Sequence, residues 1–217
     1  MTSYLIPTNA ISKDMPGNFI NLKEYIPTLN IDLRYFTADN FIGRRIDGYN
    51  SPKALLTFEA GSALKKIQSE LAIFGLGLKI YDAYRPQQAV DHFIRWAKDS
   101  HDIKMKSHYY PEIEKKDLFK KDYLAEKSSH SRGSAVDATL ISLNGEHEEL
   151  DMGTSWDFFG NSSEPNNFTV TAQQRANRML LCYIMQKYGF QPHKKEWWHF
   201  TLENEPYPNK YFDIPIQ

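Results

Sequence analysis

The sequence predicts an α+β fold, and three observations support it. Segments of helical and of strand character follow one another in irregular order rather than in a regular βαβ alternation. The chain has 217 residues, a length that suits one domain of moderate size. It also shows no internal repeat and no linker, so 1–217 is expected to form a single domain.

Residues 1–50 are rich in Pro, Asn, Asp and Gly, and read as loops with one or two short strands such as "NIDLRYF". The first 30 residues offer no usable motif. From Thr57 to Phe74, the apolar residues Phe58, Leu64, Ile67, Leu71 and Phe74 fall mostly at helical spacing, and Gly75 stands where a left-handed cap ends a helix. "LGLKIYDAY" then reads as a buried strand. A second helix begins at Pro86, carries Val90, Phe93, Ile94 and Ala97 on one stripe, and ends near Ser100. The charged segment 101–127 holds at most a short helix at 114–121.

"SAVDATLISL" (134–143) alternates like a strand, with "NGE" after it as a turn. Residues 144–170 form a long loop, and such loops in compact domains are more often functional than idle. "TAQQRANRMLLCYIMQKYGF" is the clearest helix, with a Thr171/Gln174 capping box at one end and Gly189 at the other. The final strand is expected at about 195–203.

Charge narrows the classes of partner. With 26 basic and 27 acidic residues the formal charge is −1, which gives no general attraction to nucleic acid or to an anionic membrane surface. The single cysteine, Cys182, excludes a disulfide framework and reads as a small buried apolar side chain. The N-terminal stretch lacks the basic leader and apolar core of a signal peptide, and no run approaches a membrane span, so a cytoplasmic location is expected.

Three places look chemical. In "SSHSRGSAVD" (128–137), His130 and Asp137 lie on either side of Gly133, which lets the backbone turn the two side chains together. In "KKEWWHF" (194–200), strand alternation would put Glu196 on the face opposite His199 unless the chain bends at Glu196. Two neutral imidazoles and a carboxylate make the mixed ligation that zinc accepts, and three protein ligands leave a fourth position for water. Glu196 is then a spare carboxylate suited to general base and general acid work. The flanking tryptophans are expected to hold it in place and exclude solvent.

The third place is "YDAYRPQQA". Arg85, at a strand end, can stabilise an oxyanion or hold a substrate carboxylate, or it can form a structural ion pair with Asp82 or Asp91. On local sequence alone each piece has an ordinary structural explanation, a core or surface histidine or a loop-capping aspartate among them. His92, His101, His108, His147 and His193 read as surface residues.

Together the pieces resemble one family, the zinc D-alanyl-D-alanine dipeptidases of the VanX type. "SSHSRGSAVD" fits S-x-H-x-x-G-x-A-x-D and "EWWH" fits the downstream E-x-x-H. The resemblance extends through "DNFIGRRIDGY", "YDAYRPQQAV", "MGTSWDFF" and "NEPYPNKYFDIP", from about residue 30 to the end. It implies a central antiparallel sheet flanked by helices, and hydrolysis of D-Ala-D-Ala with one zinc ion. His130, Asp137 and His199 are then the implied zinc ligands, Glu196 the base, and Arg85 the group that stabilises the transition state. Asp157 and Tyr35 match positions that receive the substrate ammonium, and Ser128 one near its carboxylate.

A pocket closed at both ends by charge complements selects a free dipeptide over longer chains. Loop 160–168 shows no motif and is expected to border the pocket. Two other readings stay open: a zinc D,D-carboxypeptidase or endopeptidase acting on larger peptidoglycan peptides, and a catalytically silent, zinc-stabilised binder of cell-wall fragments. The family spans both cell-wall dipeptide recycling and vancomycin resistance, and the sequence does not separate the two.

Overall fold

The computed structural model describes Ala10, Ile11, Met15 and residues 17–217. The remainder of the N-terminal segment, including most of the stretch read for a leader, lies outside the described residues. Strand β1 (Phe19–Asn21) leads into a one-turn helix α1 (Leu22–Tyr25), followed by β2 (Asn30–Ile31) and β3 (Leu55–Thr57). Helix α2 (Phe58–Ile73), strand β4 (Leu76–Asp82) and helix α3 (Gln87–Lys98) come next, close to where periodicity puts them. After the short α4 (Lys106–Tyr109) come β5 (Ala135–Ser142), α5 (Ala172–Lys187), β6 (Phe190–Pro192) and β7 (His199–Leu202).

Five strands form the main sheet in the order β2-β4-β5-β7-β6, while β1 and β3 pair separately. The expected antiparallel sheet holds for four strands. The edge strand β2 instead runs parallel to β4, pairing Asn30 with Lys79 and Ile31 with Ile80. Helix α2 buries Leu64, Ile67 and Leu71 and packs on β4, and α5 buries Leu181, Ile184 and Met185 and packs on β5 and β6. Strand β5 lies between β4 and β7 and is buried from Ala135 to Ile141, with Val136, Ala138 and Leu140 in the hydrophobic core.

Local chemistry explains the ends. The Thr171 hydroxyl accepts from Gln174 N–H (3.3 Å) and the Gln174 amide oxygen accepts from Thr171 N–H (2.8 Å), which completes the expected capping box. The helix expected at 114–121 shrinks to one 3-10 turn at Lys115–Asp117. "EKKDLFKKD" has too few apolar residues to make a buried stripe, and the Lys115 ammonium is drawn off to the Asp99 and Asp102 carbonyls. The last strand begins at His199 rather than 195, because 196–199 is a turn. No helix among the described residues is long and apolar enough to cross a membrane.

Candidate active site

Strand register sets the first half of the site. Asp137 on β5 lies directly opposite His199 on β7, and on its other side opposite Asp82 on β4, after a bulge between Ile80 and Asp82. Three charged or imidazole side chains thus stand in one row across adjacent strand ends. His130 arrives from a 3-10 turn, Ser129–Arg132, whose start is capped by the Ser128 hydroxyl accepting from His130 N–H (3.3 Å). Gly133 closes that turn at φ 80°, and a Cβ there would meet Phe19 Cζ at 2.2 Å, so both backbone and packing require glycine.

The donor atoms converge. His130 Nε2, Asp137 Oδ1 and His199 Nδ1 lie 3.0, 3.1 and 3.2 Å apart in pairs. A tetrahedral ion bound at 2.0–2.1 Å needs donor separations of about 3.3–3.4 Å, so little adjustment is required. Second partners orient each donor. His130 Nδ1 donates to the Ala83 carbonyl (2.7 Å), an acceptor only, which leaves the Nε2 lone pair facing the centre.

His199 Nε2 sits against the hydroxyls of Ser129 (3.0 Å) and Thr201 (3.3 Å), either of which accepts its proton and frees the Nδ1 lone pair. Burial pushes the His199 pKa down to about 4, so the ring is neutral near pH 7. Asp137 Oδ2 accepts from the Trp156 indole N–H (3.2 Å), leaving Oδ1 for the centre. Two nitrogen lone pairs 3.0 Å apart beside a carboxylate oxygen repel one another unless a cation lies between them, and the donor set fits zinc.

A cavity of about 190 Å³ opens on this centre, and Arg85, Asp157, Tyr35, Ser128 and Glu196 all line it. Arg85 fits both of its readings. Its Nε and Nη2 each lie 2.9 Å from Asp82 Oδ2, while its guanidinium stacks over Tyr35 and Phe93 and reaches 3.7 Å from Asp137 Oδ2. Asp82 is fully buried and also accepts from the Tyr49 hydroxyl (2.6 Å), so the pair is fixed. Also on the cavity wall, Tyr35 Oη donates to Asp157 Oδ2 (2.6 Å). Asp157 has a left-handed φ of 59°, and burial, then the Asp137 charge, raises its pKa well above the carboxylate range.

Glu196 reaches the centre through the bend the sequence required. His199 N–H donates to the Glu196 carbonyl (3.3 Å), the turn replaces strand alternation, and Oε2 comes within 3.7 Å of His199 Nδ1. Burial, reinforced by Asp137 and Asp157, raises its pKa well above the usual carboxylate range. The tryptophans fit the first of their two expected roles, holding the turn of Glu196, and do not wall the cavity. Trp197 and Trp198 line no part of the cavity; they are buried anchors behind the turn, with Trp197 bound through its N–H to the Ser163 carbonyl (3.0 Å) and through its indole to Thr154 (2.8 Å). Loop 160–168 therefore holds the turn from behind and does not border the pocket.

Two residues escaped the sequence reading. His193 is part-exposed but lines the cavity, with Nδ1 3.7 Å from Glu196 Oε2. Its position three residues before Glu196 was the available signal. Trp156, whose indole holds Asp137, stands beside Asp157 in "SWDFF" and was passed over for its neighbour. His92, read as a surface residue, is buried on α3, where its Nδ1 accepts from Asp47 N–H (3.1 Å). Cys182 is half-buried against the core.

The pattern of a known family matches residues 15–217, the D-ala-D-ala dipeptidases of peptidase family M15. The chain belongs to that family. It is 39% identical over 203 residues to the D-alanyl-D-alanine dipeptidase of Enterococcus faecium, covering 94% of this chain and 100% of the relative. The enzyme of the same name from Enterococcus faecalis is 40% identical over 202 residues, with 93% and 100% covered. That of Escherichia coli is 36% identical over 183 residues, with 84% and 83% covered. A metallopeptidase assignment follows from the family, and the converging donors provide a metal-binding group to match it.

Proposed function

We propose that this chain hydrolyses the dipeptide D-Ala-D-Ala to free D-alanine with one zinc ion held by His130, Asp137 and His199. The observation that carries this reading is one small cavity bordered by the three donors, a carboxyl with a raised pKa, a fixed guanidinium and a buried aspartate. A zinc ion held by those donors supplies Lewis acidity toward the scissile carbonyl and the attacking water.

The side chains do the rest. Glu196 takes the proton of the attacking water and returns it to the leaving amine; burial raises its carboxyl above the usual carboxylate range, which strengthens it as a base. Arg85, locked by Asp82, faces the charge that develops on the carbonyl oxygen without having to reorient. Asp157, oriented by Tyr35, receives the substrate ammonium, and Ser128 lies on the side of its carboxylate. Family membership over 15–217 and one continuous core support treating 1–217 as a single domain acting on a small peptide. A cytoplasmic location belongs to the same proposal, and cell fractionation tests it.

The volume favours a dipeptide over larger peptidoglycan peptides, since about 190 Å³ is below the 300–1,000 Å³ of pockets for drug-sized ligands. A silent binder has no use for a buried carboxyl beside a metal centre. The test is release of D-alanine from D-Ala-D-Ala by purified protein, with and without a chelator and with zinc restored. Release that a chelator leaves intact sinks the metal reading, and a preference for tripeptides or longer chains sinks the dipeptide reading.

A further inference from the structure

His193 lines the cavity but has no role in the reaction described above. Three hydrogen bonds fold the chain around it. Its N–H donates to the His199 carbonyl (2.9 Å), and His199 N–H donates to the Glu196 carbonyl (3.3 Å). Lys195 N–H donates to His193 Nδ1 (3.4 Å). An amide N–H only donates, so Nδ1 is the acceptor and the proton of the neutral ring sits on Nε2. The ring also stands edge-on to His199, with centroids 5.4 Å apart. The Glu196 carboxylate makes no hydrogen bond among the described residues; its nearest ring nitrogens, on His193 and His199, are each 3.7 Å away. Its aim therefore depends on the backbone of the turn that carries it.

We propose that His193 is a positioning residue: its Nδ1 lone pair holds the Lys195 amide and so fixes the turn that directs Glu196 at the reacting centre. This rests on the reading of Glu196 as the base. A general base acts within a narrow range of distance and angle, so loosening the residue just before it lowers turnover without disturbing metal or substrate binding. The effect belongs to one acceptor atom, which makes it separable from the bulk of the ring.

Three variants of the zinc-loaded full chain test the proposal. His193→Ala should lower kcat roughly tenfold, with KM within about twofold and zinc content unchanged. His193→Asn, whose Oδ1 stands about where Nδ1 does, should recover most of the loss, and His193→Gln should not. Exchange of the Lys195 amide proton, followed by NMR, should quicken at least about tenfold in the Ala variant and slow again in the Asn variant. Unchanged kcat in the Ala variant, loss of zinc from it, equal impairment of Ala and Asn, or Lys195 exchange indifferent to all three overturns the proposal. If the wild type releases no D-alanine, the functional reading fails, and amide exchange alone still decides whether His193 clamps the turn.

Discussion

The sheet side and the loop side of the cavity are built on different principles. On the sheet side, Asp82, Asp137 and His199 occupy opposed positions on three hydrogen-bonded strands, and their spacing is a property of the ladder. On the loop side, Glu196, Asp157 and Ser128 sit on turns whose conformations are held one contact at a time, by Ser163 beneath Trp197 and by Tyr35 against Asp157. Two of the three groups that would bind a permanent ion, Asp137 and His199, are on the rigid ladder, and the third, His130, comes from the 3-10 turn that leads into β5. The groups that would meet a transient substrate or move a proton are on the turns. Removing a donor on the sheet should therefore abolish the centre, while removing Glu196, Asp157 or Ser128 from its turn should leave the centre and lose one function.

The largest effect is expected from the sheet. Asp137→Ala removes one of three donors and leaves two imidazole lone pairs without their carboxylate, so zinc content and D-alanine release should both fall to background. Metal analysis of the purified variant checks it; a variant that keeps stoichiometric zinc means that the centre lies elsewhere.

Next comes the base. Glu196→Ala should retain zinc and lose about 10²–10⁴-fold in turnover, the usual worth of general acid and base help. The contrast with Asp137→Ala is the informative part: loss of zinc from the Glu196 variant would erase the division between sheet and loop.

Smaller still is Asp157→Asn, which keeps the shape and the acceptor for Tyr35 but removes the carboxyl that a bound ammonium would hold in its ionised form. A charge-assisted hydrogen bond contributes about 1.5–3 kcal/mol, so kcat/KM for D-Ala-D-Ala should fall roughly 10- to 100-fold, mainly through KM. N-acetylation of the substrate removes the ammonium, and the wild type and the variant should then differ little. A variant that discriminates against the acetylated dipeptide as strongly as the wild type does would remove Asp157 from ammonium recognition.

The same division explains what the sequence made legible. Helices α2, α3 and α5 could be read because apolar periodicity and caps are local; the capping box at Thr171 is written in four consecutive residues. Residue type and spacing made His130, Asp137 and His199 candidates for one centre, and the family resemblance singled them out over ordinary core or surface readings. Glu196 required a bend that alternation alone argued against, and the family pattern supplied what periodicity could not. Trp156 and His193 stayed hidden since they act through residues distant in sequence or through the backbone of a turn. The parallel pairing of β2 stayed hidden for a similar reason: two residues carry no period, and only β4 decides where they go.

Trp156 is where the two sides meet, and the effect expected there is the smallest. It sits on the loop that bears Asp157, packs against Tyr35 and Tyr81, and sends its indole N–H to Asp137 Oδ2 on the sheet (3.2 Å). Trp156→Phe keeps most of the ring packing and removes the donor. Arg85 Nη2, 3.7 Å from the same oxygen, remains as a cation nearby, so the carboxylate keeps its charge partner but loses one of the contacts that fix its rotation. Outer contacts of this kind are worth about 10- to 100-fold in metal affinity. Zinc affinity, measured by chelator competition, should fall toward the low end of that range, with kcat of the fully loaded variant within about threefold of wild type. If affinity is unchanged and only the thermal midpoint drops, the indole is packing alone, and the sheet orients its own ligands without help from the loop.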